Sequence, residues 1–517
     1  MAEPLRKIYP LLGEPGIQRD GTVFDTRAWT DGKWARFYKG RPKKMGGYRM
    51  MTDQFASLAR TCVMFSRNGE HFIASGSANK VEQNVFDMNG WPTNTVADRT
   101  PVGFVTNANN LWQFAHMWDA GSTAVRLIAH AAPNLTNIDN TTTASVYIGN
   151  ATVTTALTAI TSSACSGGIA ILPPYLFYFG SDGFIGWSVA NQPTDVTGVG
   201  SGSQRVTEGK ILRGMPIRAG AGNKPSGIFW ATSALLRCDF IGGTPIFDFD
   251  EVSGDGYSIL SSSGPVELDG IYYWPGVDRF LMYNGVVREI PNTRNQDYFF
   301  TNINMNYRQK TWGIKMPRWG EIWWFFVNKL TDPSATECNH AIIYNKNTGE
   351  WYDTPVRRIS GVSSQVFPYP IMFDDTDSSS KTRLFMHEFG TDEVIAGQTN
   401  AIESYVYSPI MALPAEGPMG EGLIGEDRNT LVQRIEPDVS AVGDVTFSVY
   451  GRQFAMSSES LLSNHSLASL SGNDKFFQVG NQARMLRIKV GSNVQGGSFI
   501  LGKSLMLLQV GDGRPVG

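Results

Sequence analysis

A strand-turn-strand unit that returns along most of the chain constrains the fold more than any other feature. In each copy, an aromatic-rich strand is followed by a tight turn of Gly, Asn or Asp and then by a second apolar strand. The copies lie roughly 40–50 residues apart, which is the range in which four-stranded propeller blades repeat. The pattern predicts an all-β chain with a β-propeller-like body of about six blades. The clearest copies are Gly270–Pro291 and Glu321–Tyr352, and weaker ones are Phe72–Trp91, Leu111–His130, Tyr175–Val189 and Gly227–Val252.

Prolines at positions 4, 10 and 15 and a composition break near Gly397 divide the chain into three predicted domains. Because proline removes a backbone donor that a helix needs, we expect residues 1–54 to form an extended N-terminal arm and docking segment. Residues 55–396 contain the repeated units and predict the propeller-like domain. Residues 397–517 predict a small C-terminal β-sandwich, because four segments have strand-like patterns: Thr430–Pro437, Asp444–Arg452, Ala483–Gly491 and Gly497–Val510.

Three segments rich in small or polar residues interrupt these patterns. Ala144–Ala164 predicts either a weakly packed pair of blade strands or an inserted loop. Gly198–Gly209 has the composition of a mobile connection. The serine-rich Ser457–Asn473 predicts a loop between C-terminal strands.

The charge balance limits where this chain can contact nucleic acid. Only 18% of the residues are charged, and the net charge is −3, so a nucleic-acid contact requires a local patch. Arg36–Arg49 is the best candidate, because it has no acidic residue and interleaves basic residues with Phe37, Tyr38 and Tyr48. Such a stretch can follow a phosphate backbone without reading sequence, or it can pair with acids on a neighbouring subunit. Its basic residues are Arg36, Lys39, Arg41, Lys43, Lys44 and Arg49.

The tryptophans fall into two groups. Trp29 and Trp34, in the predicted arm, are candidates for docking onto another subunit. The others are in blade segments, where a core position is a more common role than a sugar-binding surface. That second group is Trp230, Trp274, Trp312, Trp319, Trp323, Trp324 and Trp351.

The chain is predicted to have no catalytic residue, no metal site and no cofactor. Its six histidines are scattered without an HExxH pattern, and it contains no GxSxG elbow. Gly497–Ser504, GSFILGKS, fits the phosphate-loop expression. However, SFIL is typical of a strand rather than of a flexible phosphate cradle. We therefore interpret this match as coincidental.

Two acidic groups could bear chemistry but have simpler interpretations. The first could bind a hard cation, although it lacks the Gly and Glu of an EF-hand and is more typical of a polar loop tip. The second could supply the carboxylate pair of a glycosidase, but turn and strand-edge residues are the commoner role. The first group is Asp374, Asp375, Asp377, His387 and Glu388, and the second is Asp248, Asp250, Glu251 and Asp255.

The cysteines and the N-terminus predict a cytoplasmic site of synthesis and assembly. Four cysteines lie far apart without a CxxC pair, which predicts reduced, buried thiols. The N-terminal residues lack the continuous apolar run of a signal peptide. No stretch approaches the roughly 20 apolar residues that a membrane-spanning helix needs.

Three parts of the sequence carry a family resemblance. They are DGTVFDTRAWTDGKWARFYKGRPKKMGGY, GIYYWPGVDRFLMYNGVVREIP with IIYNKNTGEWYDTP, and RIEPDVSAVGDVTFSVYGRQF with QARMLRIKV and the final GDGRP. Together they resemble the tail tube, nozzle or hub proteins of short-tailed bacteriophages, including the DNA-stabilisation type. The resemblance implies a virion component, typically about six copies in a ring around the DNA exit channel. Such rings lie below the portal and adaptor proteins, retain packaged DNA and anchor tail fibres or spikes.

The resulting hypothesis is a structural protein of the virion tail that is not an enzyme. It predicts a homo-oligomeric ring that is assembled in the host cytoplasm. The ring is expected to contact genomic double-stranded DNA non-specifically in its channel. The low charge agrees with such a ring, because obligate interfaces remove large faces from water. Two alternatives are a carbohydrate-active propeller, either a glycosidase or a depolymerase, and a glycan-binding adhesin.

Overall fold

The computed structural model describes residues 6–23, 26–217, 224–243, 246–253, 258–375, 381–411, 429–470 and 475–510. Within these ranges the chain forms 45 strands, one α-helix and two short 3-10 helices. The predicted all-β class is therefore confirmed. Seven strands come first in the chain: β1 (Arg6–Leu11), β2 (Glu14–Ile17), β3 (Ala28–Trp29), β4 (Asp31–Lys33), β5 (Ala35–Tyr38), β6 (Arg41–Lys44) and β7 (Tyr48–Phe55).

Six four-stranded antiparallel sheets follow, each built from four consecutive strands. The first sheet contains β8 (Thr61–Arg67), β9 (Glu70–Gly76), β10 (Val81–Phe86) and β11 (Ala97–Asp98). The second contains β12 (Leu111–Asp119), β13 (Ala124–Ala132), β14 (Val146–Asn150) and β15 (Thr158–Ala159). The third contains β16 (Gly168–Leu172), β17 (Tyr175–Phe179), β18 (Phe184–Trp187) and β19 (Gly202–Arg205).

The next three sheets include the two clearest sequence repeats, and the only α-helix of the described ranges precedes the last of them. The fourth sheet contains β20 (Ile211–Pro216), β21 (Ser226–Ala231), β22 (Leu235–Phe240) and β23 (Phe247–Ser253), and the fifth contains β24 (Val266–Leu268), β25 (Ile271–Pro275), β26 (Phe280–Tyr283) and β27 (Val287–Glu289). The helix α1 (Gln296–Asn302) and the 3-10 helix Met305–Lys310 follow. The sixth sheet contains β28 (Trp312–Met316), β29 (Glu321–Phe326), β30 (His340–Asn345) and β31 (Glu350–Pro355).

The seventh sheet joins the two ends of this region. It contains β32 (Ser360–Val362), β33 (Ile371–Asp374), β34 (Thr382–His387), β35 (Glu393–Ile395) and β36 (Gln398–Asn400), with β7 inserted between β34 and β35. Met50 of β7 lies opposite Phe385 of β34, and Arg49 lies opposite Met386. The sheet is therefore completed by a strand from the N-terminal part of the chain.

Contacts between first strands link most of the seven sheets in chain order, and the seventh sheet returns to the first. Contacts join β8 to β12, β12 to β16, β16 to β20, β24 to β28 and β28 to β32, and β32 returns to β8. The arrangement is compatible with the predicted propeller-like body. Among the described residues the sheets in this ring number seven, against about six expected from the repeats.

Two segments expected to be irregular contribute strands to the ring. Ala144–Ala164 supplies β14 and β15, so the strand-pair alternative describes it and the inserted-loop alternative does not. Gly198–Gly209, predicted to be a mobile connection, contains β19. Strand β19 pairs along its length with β18, and this pairing overrides the local Gly and Ser content.

The last strands form three further sheets together with the N-terminal strands. They are β37 (Ser404–Tyr407), β38 (Thr430–Glu436), β39 (Val439–Val442), β40 (Thr446–Arg452), β41 (Ser460–Ser466), the 3-10 helix Leu467–Ser469, β42 (Phe477–Ala483), β43 (Met485–Ser492), β44 (Ser498–Leu501) and β45 (Ser504–Val510). The four predicted C-terminal strands correspond to β38, β40, β43 and the pair β44–β45. The loop predicted at Ser457–Asn473 is partly wrong, because β41 occupies its centre.

The N-terminal segment is not an extended arm. Strand β1 pairs with β45, β4 with β37, β6 with β44, and β7 with β34. The expectation from its prolines fails because these short strands find partners more than 300 residues away, which a local pattern does not reveal. The limits 1–54, 55–396 and 397–517 stay predictions as domain boundaries.

One large apolar core joins the N-terminal segment to the sixth sheet and the C-terminal strands. It includes Trp34, Trp323, Tyr352, Val406 and Ile488, all at most 4% exposed. The hairpin β5–β6 therefore lies between two β-rich parts of the molecule and is held from both sides.

Candidate functional site

The predicted basic stretch forms the hairpin β5–β6 and the start of β7. Tyr38 lies opposite Arg41, and Arg36 lies opposite Lys43. Lys39 and Gly40 make the two-residue turn with φ of 51° and 76°. A type I′ turn requires positive φ at both central positions and matches the twist of the flanking strands. The turn places Lys39 at the exposed tip of the hairpin.

Arg36 does not reach the surface, because two carboxylates hold it inside. Its Nε lies 2.8 Å from Glu321 Oε1, and its Nη2 lies 2.7 Å from Glu388 Oε1. The guanidinium also lies 4.3 Å from the centre of the Trp319 ring. Burial alone lowers the pKa of Arg36, but Glu321 and Glu388 outweigh burial and hold that pKa above its usual value. Through Glu321 and Glu388, Arg36 therefore connects the hairpin to the sixth and seventh sheets.

Lys44 and Arg49 are also buried, at 3% and 9% exposure. Lys44 Nζ has no hydrogen-bond partner among the described residues. Arg49 Nη2 donates to Asn89 O, and its guanidinium lies 3.9 Å from the centre of the Trp91 ring. The prediction that all six basic residues form one patch is therefore wrong. Alternation along β6 places Lys44 on the opposite face from Arg41 and Lys43, whereas Arg36, which lies opposite Lys43, is held inside by Glu321 and Glu388.

The tip of the hairpin β5–β6 lies beside Arg318 and Trp319 of the sixth sheet. Lys43 Nζ lies 5.2 Å from the Tyr38 ring centre and 4.7 Å from that of Trp319, and Lys39 Nζ lies 5.4 Å from that of Tyr38. The two rings meet edge to face with centroids 5.8 Å apart. The Arg318 guanidinium lies 5.0 Å from the Trp319 ring centre. We call this surface the basic corner, formed by Tyr38, Lys39, Arg41, Lys43, Arg318 and Trp319.

Arg318 was not predicted from the sequence. It lies in the turn between β28 and β29, about 280 residues from the hairpin, and only pairing of distant strands brings the two together. The one available signal was composition, because Arg318–Trp319 repeats the basic-aromatic pairing of Arg36–Phe37 and Tyr38–Lys39.

Among the cations of the basic corner, Lys43 lies in surroundings that disfavour its charged form. Burial, Arg36 and Arg318 lower the pKa of Lys43, and Glu388 offsets only part of this effect. Lys39, Arg41, Lys43 and Arg318 form no ion pair with any carboxylate in the described ranges. An unbalanced group of exposed cations attracts anions from solution.

A cleft of about 600 Å³ opens beside the basic corner. Trp319, Phe367 and Tyr369 provide aromatic walls, and Glu267 and Glu388 provide carboxylates. Glu267 pairs with Lys315 at 2.9 Å, while Glu388 accepts from Arg36 and from Trp319 Nε1. The pKa of Glu388 is lowered, because Arg36 and the Trp319 hydrogen bond outweigh its burial. A carboxylate held ionised in this way is poorly suited to donate a proton.

Trp29 and Trp34 are core residues, which corrects their predicted role in docking. They are 2% and 4% exposed. The Trp34 indole donates to Gly46 O at 3.0 Å and meets the Trp323 ring at 6.3 Å. Both positions were assigned to a free arm, but they pack inside the chain because the arm is folded against the sixth sheet.

The first acidic group is engaged by arginines. Asp374 lies 3.1 Å from Arg383 and 3.6 Å from Arg358, and Asp375 lies 2.8 Å from Arg357. Asp377 lies outside the described residues, as does Asp255 of the second group. No cluster of three metal-ligating side chains occurs in the part of the chain that the structure describes.

Three other features that the sequence raised are the phosphate-loop match, the cysteines and membrane-spanning helices. SFIL of the phosphate-loop match is strand β44, as predicted, and Ser504 begins β45. All four cysteines are buried free thiols. Over the described ranges, no helix has the length and apolar content to cross a membrane.

Comparison with known proteins leaves the family open. No family model and no curated protein matches the chain. A candidate exported protein from Bacteroides fragilis is similar over 66% of this chain and 94% of its own, with a TM-score of 0.32 and 10% identity. An ancestral GH74 enzyme is similar over 70% of this chain, with a TM-score of 0.41 and 9% identity. The chain spans 51% of that enzyme. At these TM-scores neither likeness bears on function.

Proposed function

We propose that this chain is a structural subunit of the tail of a short-tailed bacteriophage, with about six copies in a ring around the DNA exit channel. In this proposal the ring retains packaged DNA and anchors neighbouring tail components, and the chain performs no catalysis. The observation that carries the proposal is the basic corner. Its exposed cations and aromatic rings suit contact with a phosphate backbone without sequence readout.

The way the basic corner is built also supports contact with moving DNA. The buried pairs of Arg36 with Glu321 and Glu388 fix the hairpin, so Lys39, Arg41 and Lys43 are held on a rigid base. A contact with about three phosphates gives a slope of about −3 for log affinity against log salt. Such binding is weak at physiological salt, which allows DNA to slide past during ejection.

For the body, we propose a seven-bladed propeller joined to a C-terminal β-sandwich that also contains N-terminal strands. The ring order of the first strands and the insertion of β7 beside β34 support this assignment. In closed propellers, a terminal strand that completes the last blade protects sheet edges and joins the two chain ends.

The test of the basic corner is duplex DNA binding by a triple charge reversal, K39E/R41E/K43E. Lys44 is unsuitable for this test, because it is buried. We expect affinity for a 20-base-pair duplex to fall about tenfold or more at low salt, with a shallower salt dependence. The measurement is fluorescence anisotropy across a salt series.

The matched control is R67E/R288E/K329E, which makes the same change in net charge at exposed positions outside the basic corner. We expect this control to retain most of the affinity. Equal losses in the two triple variants would attribute binding to overall charge and would contradict the proposed role of the basic corner.

A second candidate function is glycan binding in the adjacent cleft. The aromatic walls Trp319, Phe367 and Tyr369 favour it, because sugars bind to aromatic faces. A Tyr369→Ser variant separates the two functions, since Tyr369 is outside the basic corner. Loss of polysaccharide binding with unchanged DNA binding would favour the glycan function.

A further inference from the structure

The five-stranded sheet β4–β37–β43–β40–β41 has one face in the core and one face directed away from it. Val406, Phe447 and Ile488 belong to its three inner strands, and all three side chains are 0% exposed in the large apolar core. Side chains alternate along a strand, so the residues on either side of these three project from the opposite face. That second face is polar and aromatic.

The strand register aligns polar groups in a row across this second face. Tyr407 lies opposite Lys489, Lys489 lies opposite Ser448, and Ser448 lies opposite Asn464. Residues that are directly opposite one another in adjacent strands share a face of the sheet. The row therefore brings a phenol ring, an ammonium group, a hydroxyl and an amide onto one surface.

The neighbouring row contains a gap at Gly491. Tyr405 lies opposite Gly491, and Gly491 lies opposite Thr446. A Cβ atom at position 491 would lie 2.7 Å from Tyr405 Cβ, so a larger residue would crowd this place. A surface cleft of about 240 Å³ lies here, and residues of both rows line it. We call it the tyrosine cleft.

Ser448 presents an unpaired hydroxyl group to the tyrosine cleft. The residue is only 7% exposed, and its side chain makes no hydrogen bond within the described ranges. Its Oγ is not among the fully buried polar atoms, so a ligand in the cleft can reach it. The side chains of Thr446 and Asn464 line the same cleft and also make no hydrogen bond there. Hydroxyl and amide groups both donate and accept hydrogen bonds.

The cations beside the tyrosine cleft already have a carboxylate partner. Glu403 lies 3.3 Å from Lys489 Nζ and 3.0 Å from Lys33 Nζ. Burial raises the pKa of Glu403, but the two lysines outweigh burial and hold that pKa below its usual value. Lys489 Nζ also lies 4.0 Å from the centre of the Tyr405 ring. Because these charges neutralise one another, the cleft is less suited to a phosphate than the basic corner is.

We propose that the tyrosine cleft binds one unit of a neutral oligosaccharide. Thr446, Ser448 and Asn464 exchange hydrogen bonds with the sugar hydroxyls, and the Tyr405 ring forms an apolar wall for the sugar ring. An apolar wall with a few convergent polar groups is the usual composition of a small-ligand site. The tyrosine cleft shares no residue with the cleft beside the basic corner. The inference does not depend on the proposed tail function.

The test is binding of the full chain to a printed array of neutral glucans, mannans, galactans and rhamnans. The oligosaccharide that binds most strongly is then titrated by calorimetry. Ser448→Val should weaken its binding about fivefold, because one net hydrogen bond is lost. Tyr405→Ala should weaken it about tenfold or more. Tyr405→Phe keeps the ring and should retain most of the affinity, which guards against a misfolded Tyr405→Ala.

Matched controls locate the site. Asn464→Ala should weaken binding about threefold, whereas Asn137→Ala, at an exposed position between β13 and β14, should not change it. Tyr369→Ser changes the other cleft and should leave this binding intact.

Four results would each overturn the proposal. They are no binding to the array by the wild type, unchanged binding in both Ser448→Val and Tyr405→Ala, loss of binding in Tyr369→Ser but not in Ser448→Val, and Ser448-dependent binding of a single-stranded oligonucleotide in place of a sugar.

Discussion

At the scale of residues, buried charges bind the N-terminal segment to the sixth sheet. Arg36 lies between Glu321 and Glu388, and Arg19 makes a two-point contact with Asp353 at 3.0 Å for both bonds. Breaking one partner of such a pair leaves an uncompensated charge in a dry environment. These residues therefore fix the position of the hairpin that carries the basic corner.

The first prediction concerns Asp353. Burial raises the pKa of this carboxyl, but Arg19 and the hydrogen bond with His340 outweigh burial and hold the pKa well below its usual value. Asp353→Asn should cost about 3 kcal/mol in unfolding free energy at pH 7. A depressed pKa stabilises the fold above the unfolded-state value and loses that effect as pH falls below about 4.

Urea unfolding of Asp353→Asn and the wild type at pH 7 and pH 3 measures this effect. The difference between the two proteins should shrink at pH 3. Asp182→Asn removes the partner of Arg205 from an exposed pair and should change stability by less than about 0.5 kcal/mol. A difference that is independent of pH would contradict the assigned role of the Asp353 charge.

Lys44 gives a prediction of the opposite sign. Burial lowers the pKa of Lys44, and Asp392 offsets only part of this effect. The unfolded chain then binds more protons than the folded chain, so stability rises with pH between the depressed pKa and 10.5. Lys44→Met should stabilise the protein by about 1 kcal/mol at pH 7, and this gain should shrink towards pH 10.

Thermal unfolding across this pH range checks the Lys44 prediction, with Lys329→Met as the exposed control. Destabilisation by Lys44→Met at both pH values would show that the ammonium group has a partner that stabilises it.

Some residues of the candidate site could be predicted from the sequence, and others could not. The exposed Lys39 and Arg41 and the half-buried Lys43 were predictable, because a short basic hairpin tip is a local feature. The burial of Arg36 was not, since its partners Glu321 and Glu388 are 285 and 352 residues away in sequence. Arg318 was missed for the same reason.

At the scale of elements, strand β7 connects the N-terminal segment to the ring. The sequence predicted the strand pairs of the fifth and sixth sheets, because their turns and alternation are local. It did not predict that β7 lies between β34 and β35, or that β1, β4 and β6 join C-terminal strands. Partner choice among such short strands depends on tertiary packing.

The prediction at this scale is that β7 is needed to close the seventh sheet. Met50→Pro removes an amide donor opposite Phe385 in a strand that has neighbours on both sides. Amide hydrogen exchange should accelerate in both β7 and β34, while β16–β19 should keep their protection. Met50→Thr, which retains the donor, is the control. Unchanged protection of β34 in Met50→Pro would contradict closure by β7.

At the scale of the whole molecule, several apolar side chains lie in water, both in the ring of sheets and in the C-terminal part. Val102, Val105 and Met456 are 97%, 81% and 97% exposed, and Met88 is 70% exposed. Single exposed apolar residues are normal in monomeric proteins, but in the proposed ring we expect these side chains to become buried between subunits. In the proposed ring, the basic corner is the expected contact with DNA.

The mass and symmetry of the purified protein test the proposed ring most directly. Light scattering combined with negative-stain imaging should show a closed ring of about six 56.8 kDa chains, about 340 kDa in total, with a central hole. A single 56.8 kDa chain at every concentration tested, with or without duplex DNA, would contradict the account.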